Sequence, residues 1–173
     1  MKRISLLILS FLFLFTCTSF AADRWQWITS TSLEGYFFDT QSIRYKLSAD
    51  SNSVDKSIIT VYIKRVYSPE MKQGMLNVMN TDQYSDAGRA LAAKIDHVID
   101  KDEYDITRNY FKKDDFYEYD ENNVFLAHKH YDQPQAKDIS PESPEEKIFN
   151  PIIAYVKDHD AEITARTTGS KTS

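Results

Sequence analysis

The sequence predicts an α+β fold, in which an antiparallel β-sheet of about six strands carries helices packed on it, including a C-terminal helix. Residues 56–67 alternate β-branched and aromatic side chains with a period of two, and both faces of this stretch carry apolar groups. Residues 103–131 hold further alternating segments joined by turn residues, without the crossover helices that a parallel sheet needs. We therefore expect an antiparallel meander, with residues 56–67 as its central strand.

Residues 1–21 have the pattern of a secretory signal peptide. Two basic residues precede an apolar run from Leu6 to Phe15, and small residues lead to a predicted cleavage site after Ala21. This run is shorter than the roughly 20 apolar residues of a membrane-spanning helix, so we expect no transmembrane segment in the mature chain. Cys17 leaves open a lipoprotein signal, in which that cysteine is lipidated.

Composition bounds the domain organisation and the classes of partner. Cleavage after Ala21 removes the only cysteine, and the remaining residues suffice for one hydrophobic core. The formal net charge of −5 disfavours nucleic acid and anionic membranes as partners. We predict a single domain over residues 22–159, no cofactor, and a disordered polar tail over residues 160–173.

The first half of this domain predicts short strands, then the central strand, then helices. Strands are expected within residues 24–30, 34–40 and 43–47, and Asp39 is interpreted as a turn residue whose carboxylate accepts hydrogen bonds from the backbone. Ser68 and Pro69 fit the N-cap and first position of a helix. Residues 85–99 place apolar side chains at helical spacing, which predicts a second helix over that range.

Further strands and a terminal helix make up the second half. Residues 103–111, 116–119 and 124–131 predict strands, and the turn residues 120–123 predict a hairpin. Ser143 and Glu146 fit a capping box before an apolar stripe, which predicts a helix that packs on the sheet.

The histidines His128 and His130 are two residues apart and should therefore project from one face of a strand. A metal or haem ligand pair is one interpretation of this spacing. A structural zinc site needs about four ligands, and the chain has only two other histidines. We therefore favour a solvated strand face and assign no metal ligand.

Aromatic residues offer a candidate binding surface. Trp25 and Trp27 should share one face of the first strand, where we favour packing at one end of the core. The alternative is an exposed aromatic platform. In that case the possible binding surface comprises five residues: Trp25, Trp27, Tyr62, Tyr117 and Tyr119.

Several stretches resemble the surface-adhesin protein E-like family of bacterial envelope proteins. They are the Trp-bearing first strand, residues 36–43 (YFFDTQSI), residues 61–67 (VYIKRVY) and residues 139–143 (ISPES), which open the terminal helix. The resemblance implies an antiparallel sheet with helices packed against it and export beyond the inner membrane. The adhesin for which the family is named binds host matrix proteins and haem, so the resemblance implies a binding role of that kind. The resemblance brings no catalytic residue.

The leading functional hypothesis is an exported, non-enzymatic envelope protein of a Gram-negative-type bacterium, in the periplasm or on the outer surface. It would bind a protein or a small ligand through its sheet or loops. One alternative is a periplasmic enzyme with Asp39, Asp105 or the His128/His130 pair as acid–base groups, which requires two such groups to converge in a pocket. Another is a haem or metal carrier that uses the two histidines.

Overall fold

Strand β4 (Val54–Tyr67) lies at the centre of the sheet, as the alternation of residues 56–67 predicts. The computed structural model describes residues 24–48, 53–80, 84–134 and 136–169. Within them, β4 pairs antiparallel with β2 and with β5, and its first half also pairs with β3. A strand that is bonded on both sides and carries apolar groups on both faces is typical of a sheet interior.

The sheet is open, and all the strand pairings within the described residues are antiparallel, with the order β1-β2-β4-β5-β6-β7. Strand β3 pairs with β4, and β8 pairs with β6. The remaining strands have these bounds: β1 Trp25–Ser30, β2 Glu34–Asp39, β3 Arg44–Leu47, β5 His97–Asp105, β6 Tyr110–Tyr119, β7 Phe125–His130 and β8 Lys137–Asp138. The predicted α+β class with an antiparallel sheet is confirmed.

In the part of the chain that the structure describes, four helices accompany the sheet: α1 Pro69–Met79, α2 Asp86–Ala92, α3 Pro144–Asp158 and α4 Asp160–Gly169. Ser68 caps α1 by accepting a hydrogen bond from the Met71 N–H at 3.1 Å. Ser143 caps α3 by accepting from the Glu146 N–H at 3.1 Å, as the capping-box pattern predicts. The Glu146 carboxylate bonds the N–H of Glu142 at 2.7 Å, one residue earlier than a capping box requires.

The helices pack on one face of the sheet, which we call the helix face. Helices α3 and α4 cover a cluster that contains Ile59, Val61 and Ile63 of β4. Helices α1 and α2 cover a second cluster around Tyr67 and Val98. Residues 59, 61, 63 and 67 all point to the same side of β4 because side chains alternate along a strand, so both clusters lie on that side.

The helix predicted over residues 85–99 is wrong in its second half. Helix α2 ends at Ala92, and His97 begins β5. Ile95 and Val98 are buried as expected, but Val98 is buried as a strand residue opposite Arg65 of β4. Pairing on both sides of β5 overrides a helical spacing that local sequence alone supports.

The strand predicted over residues 103–111 is likewise two strands and a turn. Strand β5 ends at Asp105, and β6 begins at Tyr110. Asp105 accepts hydrogen bonds from the backbone N–H groups of Thr107 and Arg108, each at 3.0 Å, and Asn109 adopts φ 53°. A carboxylate that caps a tight turn and an Asn in the left-handed region account for the reversal.

The prediction of a disordered tail from residue 160 is wrong for residues 160–169, which form α4. Ile163 is fully buried in the main cluster. The Thr167 hydroxyl accepts a hydrogen bond from the Tyr45 N–H at 3.0 Å and donates one to the Ile163 carbonyl at 2.7 Å. Polar composition misled the prediction because only one narrow side of α4 is buried.

The predicted signal peptide, its cleavage site after Ala21 and Cys17 lie outside the described residues, as do residues 170–173. Among the helices that the structure describes, none has the length and apolar character needed to cross a membrane.

Candidate binding face

The side of the sheet opposite the helix face is the candidate site, and we call it the open face. None of the four described helices packs on it. The strand register places one row of side chains across it, from β1 to β7. In order, the row is Trp27, Phe37, Lys64, Ile99, Tyr117 and His128. Directly paired residues share a face, so side chains from six strands lie side by side, and all of them except Ile99 are aromatic rings, an imidazole or a cation.

A depression of about 280 Å³ lies in the middle of this face, and we call it the aromatic depression. Its lining comprises Arg24, Trp25, Asp39, Tyr62, Ile99, Tyr117 and Tyr119. Strands β1, β4 and β6 each supply at least one ring, and β5 supplies the aliphatic Ile99. The depression can therefore take an apolar or aromatic group against flat walls.

Two of the tyrosine rings in the aromatic depression are stacked on histidine rings. Tyr117 stacks on His128 with ring centroids 4.5 Å apart, and Tyr119 stacks on His97 at 5.3 Å. Tyr62 meets Tyr117 edge to face at 6.5 Å. These contacts hold the rings in place before any ligand arrives, which lowers the entropy cost of binding.

Positive charge borders the aromatic depression. Arg24 binds the buried Asp39 carboxylate through Nε at 2.9 Å and Nη2 at 2.8 Å. Lys64 Nζ lies 4.6 Å from the centre of the Trp25 ring and 5.4 Å from that of Phe37. Burial, together with the neighbouring charge of Arg24, lowers the pKa of Lys64. The Lys64 ammonium is thus held over two aromatic rings and is repelled by the charge of Arg24. A bound anion would reduce this repulsion.

A second depression of about 280 Å³ adjoins the first, and we call it the cationic depression. It is lined by Ser42, Arg44, Thr60, Val61, Tyr62 and Lys101, so Tyr62 belongs to both. Arg44 is held in place by donating from Nη1 to the carbonyls of Gln41 at 2.7 Å and Ile43 at 2.9 Å. Lys101 Nζ lies 3.6 Å from the Asp115 carboxylate.

The two histidines singled out by their spacing meet at Asp115. His128 Nε2 lies 3.0 Å and His130 Nδ1 lies 2.8 Å from the same oxygen, Asp115 Oδ1. The hydrogen bond to Asp115 raises the pKa of His130. Within the part of the chain that the structure describes, no group of three or more His, Cys, Asp or Glu side chains is arranged to hold a metal ion. The local geometry is that of two imidazoles in contact with one carboxylate oxygen.

The structure brings together four of the five predicted aromatic residues, since Trp25, Tyr62, Tyr117 and Tyr119 line one depression. Trp27 lies on the same face and is 60% exposed. The favoured interpretation, that the two tryptophans seal the core, is therefore wrong, because both lie on the side away from it. A binding role for these residues stays a prediction.

The candidate acid–base groups have separate structural roles. Asp39 binds Arg24 and accepts a hydrogen bond from the Gln41 N–H at 3.0 Å, which is the turn role expected of it. Asp105 caps the β5–β6 turn. Asp105 pairs with Tyr110 at the start of β6, whereas Asp115, the partner of the histidines, lies five residues further along that strand. The structure therefore does not bring Asp105 to the histidine pair.

Sequence reasoning missed the cations that line or border the two depressions, namely Arg24, Lys64, Arg44 and Lys101. Lys64 could have been found from the sequence, because it is two residues from Tyr62 on the same strand and such side chains point to the same face. Arg44 and Lys101 come from β3 and β5, and only the pairing register brings them to Tyr62.

No protein-family model and no curated protein matches this chain. Among solved structures, it is similar to protein E from non-typeable Haemophilus influenzae, with a TM-score of 0.46 and 10% sequence identity over 86% of this chain and 90% of that chain. It is also similar to crystal form II of Haemophilus influenzae protein E, with a TM-score of 0.43 and 8% identity over 80% of this chain and 91% of that chain. At these identities, membership of the protein E-like family stays a prediction.

Proposed function

We propose that this chain is a non-enzymatic binding module of the bacterial cell envelope that recognises a partner protein through its open face. One observation carries the proposal: Trp25, Tyr62, Tyr117 and Tyr119 line a single depression on the side of the sheet that no described helix covers. Aromatic side chains and arginine dominate the binding energy of protein interfaces. A group of partly exposed rings with Arg24 in the same lining has that composition.

The dimensions of the face favour a protein over a compact small ligand. Each depression measures about 280 Å³, at the lower limit of the roughly 300–1,000 Å³ that encloses a drug-sized molecule. Trp27, 60% exposed, extends the aromatic area beyond both depressions. A shallow surface with several small recesses suits side chains presented by another protein.

The predicted signal peptide supports the envelope setting of this proposal. The basic start, the apolar run and the small residues before the predicted cleavage site after Ala21 form the pattern of a secretory signal. A mature chain released by that cleavage contains no cysteine. It would function beyond the inner membrane without depending on disulfide formation.

A paired pull-down tests the proposal. Immobilised wild-type protein, a Tyr62→Ala plus Tyr117→Ala variant and a Tyr84→Ala control are exposed to envelope extract and to a panel of purified matrix proteins. Tyr84 is a matched control because it is 41% exposed and lies outside both depressions. Circular dichroism establishes that all three proteins are folded.

We expect wild type and the Tyr84→Ala control to retain the same partner, and the double variant to lose it. Recovery of that partner by the double variant at wild-type yield would contradict the proposal, as would recovery of nothing above background by wild type. For the alternative haem or metal role, haem titration of a His128→Ala plus His130→Ala variant is decisive, since binding identical to wild type excludes these ligands.

A further inference from the structure

The aromatic and cationic depressions share Tyr62 as a common lining residue, and we call the two together the groove. Tyr62 lines both, with Trp25 and Tyr117 on one side and Arg44 and Lys101 on the other. Successive same-face side chains of an extended peptide are roughly 7 Å apart, because each residue advances about 3.3 Å. An extended peptide that crosses Tyr62 would direct two such side chains towards the sheet, one on each side of that ring.

The charges around this groove are mainly positive, on a chain whose net charge is −5. Asp39 is the one carboxylate in the lining of either depression, and it is bound to Arg24. Among the residues that the structure describes, neither Lys64 nor Arg44 takes part in an ion pair with a carboxylate. The groove is thus locally complementary to an anion, in contrast to the rest of the chain.

The lining of the aromatic depression indicates which kind of ligand group fits there. Ile99 forms part of its lining beside the rings of Trp25, Tyr62 and Tyr117. An aliphatic side chain at this position gives no hydrogen bond to a hydroxylated sugar ring, whereas it packs well against a phenyl group. Edge-to-face contacts such as the one between Tyr62 and Tyr117 can be extended by one more ring.

We propose that the occupant of this groove is an extended acidic peptide segment of the partner, which places an aromatic side chain in the aromatic depression and a carboxylate beside Arg44 and Lys101. This inference rests on the proposed function and adds the chemistry of the partner. A planar guanidinium that is already oriented by two backbone carbonyls matches a carboxylate well. Lys64 supplies a further positive charge at the border.

Three synthetic peptides of equal length test the ligand class. The first carries phenylalanine and aspartate two residues apart, separated by single serines, so that both side chains project from the same face of an extended backbone. The second replaces phenylalanine by serine, and the third replaces aspartate by asparagine. Intrinsic fluorescence reports binding, because the chain has two tryptophans and both lie on the open face. A Trp27→Phe background leaves Trp25 as the reporter inside the groove.

We expect saturable quenching by the first peptide alone, weakened by added salt. Lys101→Gln should reduce its affinity about fivefold, as expected for the loss of one surface ion pair. The matched control Lys157→Gln removes an exposed lysine of α3 and should leave the affinity unchanged. Equal binding of the second or third peptide, or no effect of Lys101→Gln, would overturn the inference.

A sulfated oligosaccharide of the heparin type serves as the competing class. If it binds as tightly as the first peptide and is weakened by the same substitution, the peptide assignment is wrong. If no peptide binds while the Tyr62 and Tyr117 variant still loses its partner in the pull-down, the ligand class fails and the proposed function stands. Failure of both experiments removes the proposed function as well.

Discussion

The carboxylate of Asp102 on the helix face is the most sensitive point in the electrostatics of this fold. Asp100 is bound by Arg65 Nε at 2.7 Å and by Lys113 Nζ at 2.9 Å. Asp102 Oδ1 is 4.0 Å from the same lysine, and within the described residues it has no hydrogen-bond partner. With Glu34, which pairs with Arg65 at 3.3 Å, the cluster has three carboxylates and two cations. One proton on Asp102 makes it neutral.

Burial, reinforced by the charge of Asp100, raises the pKa of Asp102 from its ordinary 3.8 to about 7. Because the folded pKa is above the unfolded one, the contribution of this group to stability is fully present below pH 3.8 and is lost as the pH rises through 7. At 1.36 kcal/mol per pKa unit, the loss amounts to about 4 kcal/mol. The native protein should therefore be measurably less stable at mildly alkaline pH.

Asp102→Asn replaces the carboxylate with a neutral group of the same shape and removes this penalty. Urea unfolding followed by circular dichroism, at about pH 4.5 and about pH 8, gives the free energy of unfolding of both proteins. The difference between variant and wild type should shift by about 3 kcal/mol in favour of the variant between these two pH values. Subtracting the two proteins cancels other titrating groups, and an exposed control, Asp138→Asn, should show no such shift. An equal difference at both pH values would refute the reasoning.

Three further outcomes follow from individual contacts. Ile163→Ala should lower the free energy of unfolding by about 2–5 kcal/mol, because Ile163 is fully buried. The control Thr168→Ala, at an exposed position of the same helix, should lower it far less. Equal effects of the two substitutions would contradict the packing of α4 in the core. The hydrogen bond to Asp115 raises the pKa of His130, so its stabilising contribution is present below pH 6.5 and is lost as the pH rises through the raised value. NMR titration should show that Asp115→Asn brings this pKa back towards 6.5, and an unchanged titration would count against the contact. Ser143→Ala removes the N-cap of α3 and should cost about 1 kcal/mol in thermal unfolding; an unchanged melting temperature would show that the cap is not needed.

Local patterns located most strands and the caps of two helices. The period-two alternation of residues 56–67 predicted the central strand, and the Ser–Pro pairs at 68–69 and 143–144 predicted where α1 and α3 begin. These signals are local, because alternation and N-caps depend on neighbours within a few residues. They could be read without knowing any tertiary contact.

Long-range pairing accounts for the errors. Residues 95–98 have helical spacing, but β4 and β6 flank residues 97–105 and hold them as a strand. Residues 160–169 are polar overall, yet Ile163 and Thr167 insert into the main cluster. In both segments the contacts that determine the structure are made with residues distant in sequence, so the sequence of the segment alone could not reveal them.

The sequence by itself determined the α+β class, the antiparallel central strand and the presence of closely spaced aromatic residues on β1, β4 and β6. Tertiary structure decided on which side of the sheet those rings lie and which cations accompany them. The helices take one face because Ile59, Val61 and Ile63 point there, and Tyr62, on the opposite face, stays partly exposed. The alternation along a strand determines which of its side chains share a face. Which of the two faces becomes the core depends on where the helices pack.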